Sequence, residues 1–231
     1  MRFVTVVFAV AALASGAAQA AVGEHECNEP TGNANLSNIT LGQVTAAKAN
    51  FVANETMMAG CPSADAKCGR KAFVVAGNTV LFDNSTTKTG FVCASYVNAR
   101  GYETDGWLPT ASVKMLPTPA PNWFGKWKRD TSANIEIGRT SVSAASLSGD
   151  AFWGGQSGSP NVGDIDATID PRQNVQGFGT ASDQRTQTAY GKGDKDACAV
   201  IFKQLGPYLF AADNMTCGGM NVTFSGIYTR R

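Results

Sequence analysis

The sequence predicts an all-β protein built as two small barrels in tandem. Three observations predict it. Short apolar runs bounded by Gly, Asn, Asp and Pro recur along most of the chain, which is the pattern of strands and turns. No stretch carries the apolar spacing of a long amphipathic helix. A proline-rich break, LPTPAPN from Leu116 to Asn122, divides the runs into two groups and the six cysteines into four and two.

The chain opens on a targeting pattern. Arg2 precedes the apolar run Phe3 to Leu13, and Ala18-Gln19-Ala20 supplies an A-x-A cleavage site. Residues 1–20 therefore read as a secretory signal peptide, and the mature chain as periplasmic or secreted. Residues 21–43, rich in Asn, Gly, Thr and Ser, read as a leader. No later stretch reaches the apolar length of a spanning helix. Removing Arg2 leaves 18 basic against 18 acidic residues. That balance argues against nucleic acid and anionic membrane as partners, because both need a basic face. The cysteines are even in number and sit in an exported chain, so disulfides are their expected state. The only histidine is His25 and no C-x-x-C occurs, so neither a metal nor a cofactor is expected. The proline break predicts that Cys198 pairs with Cys217, and that Cys27, Cys61, Cys68 and Cys93 pair among themselves, with their connectivity left open.

Residues 44–116 form the first unit. AFVVAGNTVLFD reads as two strands about a Gly77-Asn78 turn. TGFVCASYVNARGYETDGWLP reads as a strand over Phe91 to Val97, a turn near Gly101 and a second strand starting at Trp107. About five short strands fit a small barrel better than a sandwich. Tyr96, Tyr102 and Trp107 are candidate binding residues, since aromatic rings give large contact area at low entropy cost. The competing reading of Trp107 is a core position. KAFVVAGNTVLF, GFVCASYVN and TDGWLPTASVKML resemble the Src-homology-3-like domains of exported bacterial proteins, with Gly77, Gly106, Trp107 and Leu108 on the family's pattern. The resemblance implies a binding module, often for cell-wall peptides. Cys61, Cys68 and Cys93 depart from the plainest members and imply a stapled variant.

After the linker at 117–122, residues 123–231 form the second unit. Nine strand-like runs, from WFGKWKR to NVTFSGIYTR, suit a meander of about eight strands that closes into an up-and-down barrel. In NVTFSGIY, Val222, Phe224, Gly226 and Tyr228 share one face, a period of two. A closed barrel pairs its last strand with its first, here WFGKWKR, with Gly125 and Gly226 permitting the coil where they meet. Gly125-x-Trp127 is similar to the first-strand motif of lipocalins and other calycin-type barrels. DNMTCGGMNVTFSGIY, from Asp213 to Tyr228, resembles the end of a poorly characterised domain of exported bacterial proteins found beside lysozyme-inhibitor-like modules. That resemblance supplies no catalytic residue.

The residues themselves offer little chemistry. GGQSGS around Ser157 approaches a nucleophile elbow but lacks its last glycine and any following histidine. In GDIDATID, Asp164 and Asp166 share one strand face with nothing apolar around them to raise a pKa, and with Asp170 they lack EF-hand spacing. No catalytic residue is expected. The expected function is non-enzymatic recognition by an envelope protein, of peptidoglycan or of an envelope or host protein such as a lysozyme-type hydrolase. Trp153 in GDAFWGG joins the candidate binding residues, and the chain is expected to be monomeric. The alternatives are a small-molecule carrier using the interior of the second barrel, and a carboxylate-based hydrolase.

Overall fold

The computed structural model describes Cys27, residues 36–154, 158–181 and 186–231. The expected signal peptide, most of the leader and the Ser157 loop lie outside the described residues. Within them the protein is all-β, with nothing helical longer than a three-residue turn.

The first sheet has strands β1 (Ile39–Val44), β2 (Lys48–Val52), β3 (Gly69–Val75), β4 (Thr79–Lys88), β5 (Phe91–Val97), β6 (Glu103–Pro109) and β7 (Val113–Met115). Their spatial order is β3-β2-β6-β5-β4-β1-β7, a half-barrel. This is seven strands where the sequence pattern suggests about five: β2 and β7 are short, and β1 begins within residues 21–43, read from the sequence as a leader but paired here with β4 and β7. The β5–β6 hairpin forms, but β6 begins at Glu103 rather than at Trp107, pairing Phe91 with Pro109 through to Val97 with Glu103. The Gly77-Asn78 turn does not make a hairpin. β3 leaves it to pair with β2, while β4 pairs with β1 and β5. A turn fixes only the local reversal, and pairing is decided by which apolar faces meet. Phe51, Val74, Val80, Phe82 and Leu108 fill this sheet's concave side.

The second sheet has β8 (Gly125–Lys128), β9 (Ala133–Arg139), β10 (Ala145–Trp153), β11 (Asn161–Ile169), β12 (Val175–Thr180), β13 (Gln187–Ala189), β14 (Ala199–Leu205), β15 (Tyr208–Asp213) and β16 (Gly226–Arg230). Their order is β11-β10-β9-β8-β16-β15-β14-β12-β13. It is a nearly closed up-and-down barrel, and the last strand does join the first, pairing Thr229 with Lys128 and Arg230 with Trp127. Gly125 and Gly226 both take positive φ, 122° and 143°. A Cβ on Gly226 would lie 2.3 Å from Arg129 Cδ, so glycine is required where the strands cross. The opening lies elsewhere, between β11 and β13, the two ends of the sheet. Inside, Trp123, Trp127, Phe178, Phe202, Phe224 and Tyr228 pack together.

The alternation in NVTFSGIY survives as burial: Val222, Phe224 and Tyr228 enter the barrel core. Its first half is not a strand. The Asp213 carboxylate instead accepts hydrogen bonds from Phe224 N (3.1 Å) and Thr223 Oγ1 (2.6 Å), which holds this segment as a turn. Pairing begins at Gly226 and runs on through Arg230. The guanidinium of Arg230 lies 4.6 Å from the Trp127 ring centroid, and Arg231 N donates to Lys126 O at 2.9 Å. The terminal arginines are therefore part of the barrel seam rather than a solvated tail.

The cysteines pair as the proline boundary predicts. Cys198 bonds Cys217, and the four earlier cysteines form Cys27–Cys93 and Cys61–Cys68. Three disulfides point to a non-cytoplasmic protein. No described helix is long and apolar enough to cross a membrane.

The proline-rich segment falls between β7 and β8, where one sheet gives way to the other, but it is packed. Asn174 donates to Pro119 O and Gln204 accepts from Asn122 N. Behind it the sheets share a core: Leu36, Ile39, Leu41, Leu81 and Val97 from the first meet Leu205, Tyr208, Phe210, Ala212 and Ile227 from the second. Lys203 is buried there, its Nζ donating to Ser37 O at 2.9 Å, and burial lowers its pKa. The two sheets do not behave as beads on a spacer.

Candidate functional site

The outer face of β8 to β11 is polar because side chains alternate across each strand and the inner set fills the barrel. Register aligns the outer set into two rows. Lys126 faces Glu136, Glu136 faces Ser148 and Ser148 faces Asp166; Lys128 faces Asn134, Asn134 faces Asp150 and Asp150 faces Asp164. Lys126 and Glu136 form an exposed ion pair at 3.5 Å, and Asn134 Nδ2 donates to Asp150 at 3.1 Å. A depression of about 460 Å³ follows this face. A second, of about 630 Å³, lies between the β5–β6 turn at Ala99 to Tyr102 and the strands β8 and β16. The two share Lys128 and Arg231, so they form one trough from the first sheet's hairpin to β11.

The trough is bipolar. Its hairpin end carries Arg100, Lys128 and Arg231; its far end carries Asp150 and Asp166. Two further arginines at the hairpin end are already committed. Arg129 donates to Thr223 O at 3.0 Å and to Ser132 Oγ at 2.9 Å, and Arg230 caps Trp127. Asp130 sits beside them. Burial raises its pKa, but hydrogen bonds from the Ser132 hydroxyl and N–H, with Arg129 alongside, outweigh that and hold it below the usual value.

The four aromatic candidates do not come together. Tyr102 is 68% exposed and lines the hairpin end of the trough. Trp153 is half exposed at the end of β10. Tyr96 is half-buried against the first sheet's core. Trp107 is fully buried among Cys27, Cys61, Cys68 and Cys93, the core position that was its competing reading, so its ring has no face for a ligand. Asp164 and Asp166 are exposed on the outer face. Asp170 is clamped by Arg172 at 2.6 Å, whose hydrogen bonds bring its carboxyl down to about 2. Among the described residues, no cluster of His, Cys, Asp and Glu is arranged to hold a metal.

One carboxyl pair was missed in the sequence. Glu103 and Asp105 alternate along β6 as Asp164 and Asp166 do along β11, so the same spacing would have found them. Asp105 accepts from Ser95 Oγ, its backbone O accepts from Arg70, and Glu103 hydrogen-bonds it. Burial raises the Asp105 pKa despite these contacts. A raised carboxyl stabilises the fold fully below its unfolded pKa of about 4. That contribution is lost as pH climbs through the raised folded value. Asp105→Asn should therefore melt higher relative to wild type at neutral pH than at pH 3.5, a difference checked by thermal melting across that range. A pH-independent difference would show that Asp105 titrates normally.

The fold and trough define a disulfide-stapled, two-sheet β protein with this trough on the outside of the strands. Comparison with protein-family models, curated proteins and solved structures finds no match to this chain.

Proposed function

We propose that this is an exported envelope protein, periplasmic or secreted, that binds cell-wall material. The observation that carries the reading is the bipolar trough with Tyr102 at its basic end. Cell-wall glycopeptide is amphoteric: its peptides offer carboxylates and amines, and its sugars offer apolar faces. Carboxylates fit Arg100, Lys128 and Arg231; amines fit Asp150 and Asp166; a sugar face fits the Tyr102 ring. The Src-homology-3-like resemblance of residues 44–116 supports the same ligand class.

The test is co-sedimentation of the full oxidised chain with purified peptidoglycan, followed by titration of soluble fragments. Tyr102→Ala combined with Lys128→Ala should weaken binding by about tenfold to a hundredfold, roughly 1.4 to 2.8 kcal/mol. Added salt should weaken it further, because the contacts are exposed. Absence of binding to peptidoglycan, with capture of a lysozyme-type hydrolase instead, would replace this ligand by a protein partner.

A further inference from the structure

We propose that the opening between β11 and β13 is a docking slot for an extended peptide, which adds to the barrel as its missing strand. β11 and β12 are joined directly by residues 170–174, yet they do not pair. β13 occupies the β12 edge instead, pairing Phe178 with Ala189 and Thr180 with Gln187. One edge of β11 is left facing the gap.

That edge is anchored at both ends. Val162 O accepts from Gly219 N at 3.0 Å. At the other end the Gln187 side-chain amide serves as a surrogate strand, accepting from Thr168 N at 2.8 Å and donating to Thr168 O at 2.9 Å. Residues two apart in a strand turn their N–H and C=O groups to the same side, so Asp164 and Asp166 face the gap with Val162 and Thr168. Between the anchors β11 has no strand partner on this side among the described residues. The gap there is a depression of about 620 Å³, with Asp164, Ile165 and Asp166 on one wall, Phe178 and Thr180 on the other, and the Cys198–Cys217 bridge with its segment from Thr216 to Gly219 closing the Val162 end.

An unpaired edge recruits an extended chain through main-chain hydrogen bonds, and side-chain pockets then select its sequence. Two anchors six residues apart leave room for a segment of about four to six residues at roughly 3.3 Å each. The side chains choose its chemistry. Asp164 and Asp166 project on the outer face with Asp150 on the neighbouring strand, so alternate residues of the occupant are Lys or Arg. Intervening residues point inward over Ile165 and Phe178 and are small or apolar. The occupant is thus a basic-apolar alternating segment of a protein partner. This inference does not rest on the trough reading but shares Asp150 and Asp166 with it, so main-chain readouts, which a contact in the trough would not produce, let either fail alone.

The probe is a labelled octapeptide of alternating Lys and Val, titrated into the full oxidised chain by fluorescence anisotropy, with amide hydrogen exchange read at β11. Micromolar binding is expected, with new protection at the Asp164 and Asp166 amides. A Glu-Val octapeptide should bind at least about tenfold more weakly. N-methylation of alternate peptide amides should abolish binding in the one register that faces β11. Asp164→Asn with Asp166→Asn, both exposed and conservative, should cost about tenfold for the Lys-Val peptide while retaining the wild-type melt. Equal binding by both N-methylated registers, or binding without protection at Asp164 and Asp166, would reduce the contact to charge alone and overturn the slot. So would no binding by about 1 mM peptide, which leaves the aspartates as guards against edge-to-edge pairing. Concentration-dependent dimerisation with the same protection would make a second copy the occupant and equally overturn a foreign peptide.

Discussion

A chain ending at Gly219 is expected not to form the second barrel. The deletion removes Val222, Phe224 and Tyr228 from the interior, where all three are buried. Large-to-small changes at such positions cost roughly 2 to 5 kcal/mol each, against a total of about 5 to 15 kcal/mol for a domain. It also removes β16, which lies between β15 and β8, and so bares two edges that invite aggregation. Asp213 loses Thr223, Phe224 and Ser225 together, and Arg129 loses its carbonyl partners at Thr223 and Ser225. Deleting only Arg230 and Arg231 should cost less but remain measurable, about 1 to 3 kcal/mol, from the hydrogen bonds to Lys126 O and Asn122 O, one cation–π contact and fraying of the seam. Thermal melting of both truncations beside the full chain decides the matter. A cooperative melt near the parent temperature for the shorter chain would make β16 an appendage and the barrel an open sheet.

Excision of the barrel as residues 122–231 is expected to leave a protein that melts far below the full chain or self-associates. Leu205, Tyr208, Phe210, Ala212 and Ile227 are covered by Leu36, Ile39, Leu41, Leu81 and Val97. Uncovering large apolar side chains costs about 1.5 to 3 kcal/mol each, so four of them match most of a domain's stability. Tyr208 adds a hydrogen bond to Thr79 O, and burial pushes its pKa up to about 12, with Tyr96 contributing. Melting and sedimentation of the excised unit, expressed in an oxidising compartment, test this. A monomer that melts with the full chain would show that the shared core carries little energy.

Much of this architecture was readable because it rests on local periodicity. Every strand-like run between WFGKWKR and NVTFSGIYTR lies on a strand, since alternation and turn residues are properties of adjacent positions. The Cys198–Cys217 bridge was readable from a proline boundary and a short loop. The site was much less so. Tyr102 and Trp107 look alike as aromatic residues beside a glycine turn, yet one lines a trough and the other is sealed under two disulfides. Which occurs depends on where Cys27 and Cys61 arrive from afar.

The sequence by itself determined the all-β class, the break near Pro117, the disulfide grouping and the return of the last strand to the first. Each follows from chain-local chemistry: side-chain period, proline's missing N–H, thiol count and glycine's access to positive φ. Only the tertiary structure decided that β3 turns away from β4, that the sheets share one core, and that the barrel's opening lies between β11 and β13. Those outcomes depend on which apolar faces find each other across the fold and on β13 taking an edge that β11 would otherwise fill. Surfaces distant in the chain meet there, and no window of the sequence contains both sides of the contact.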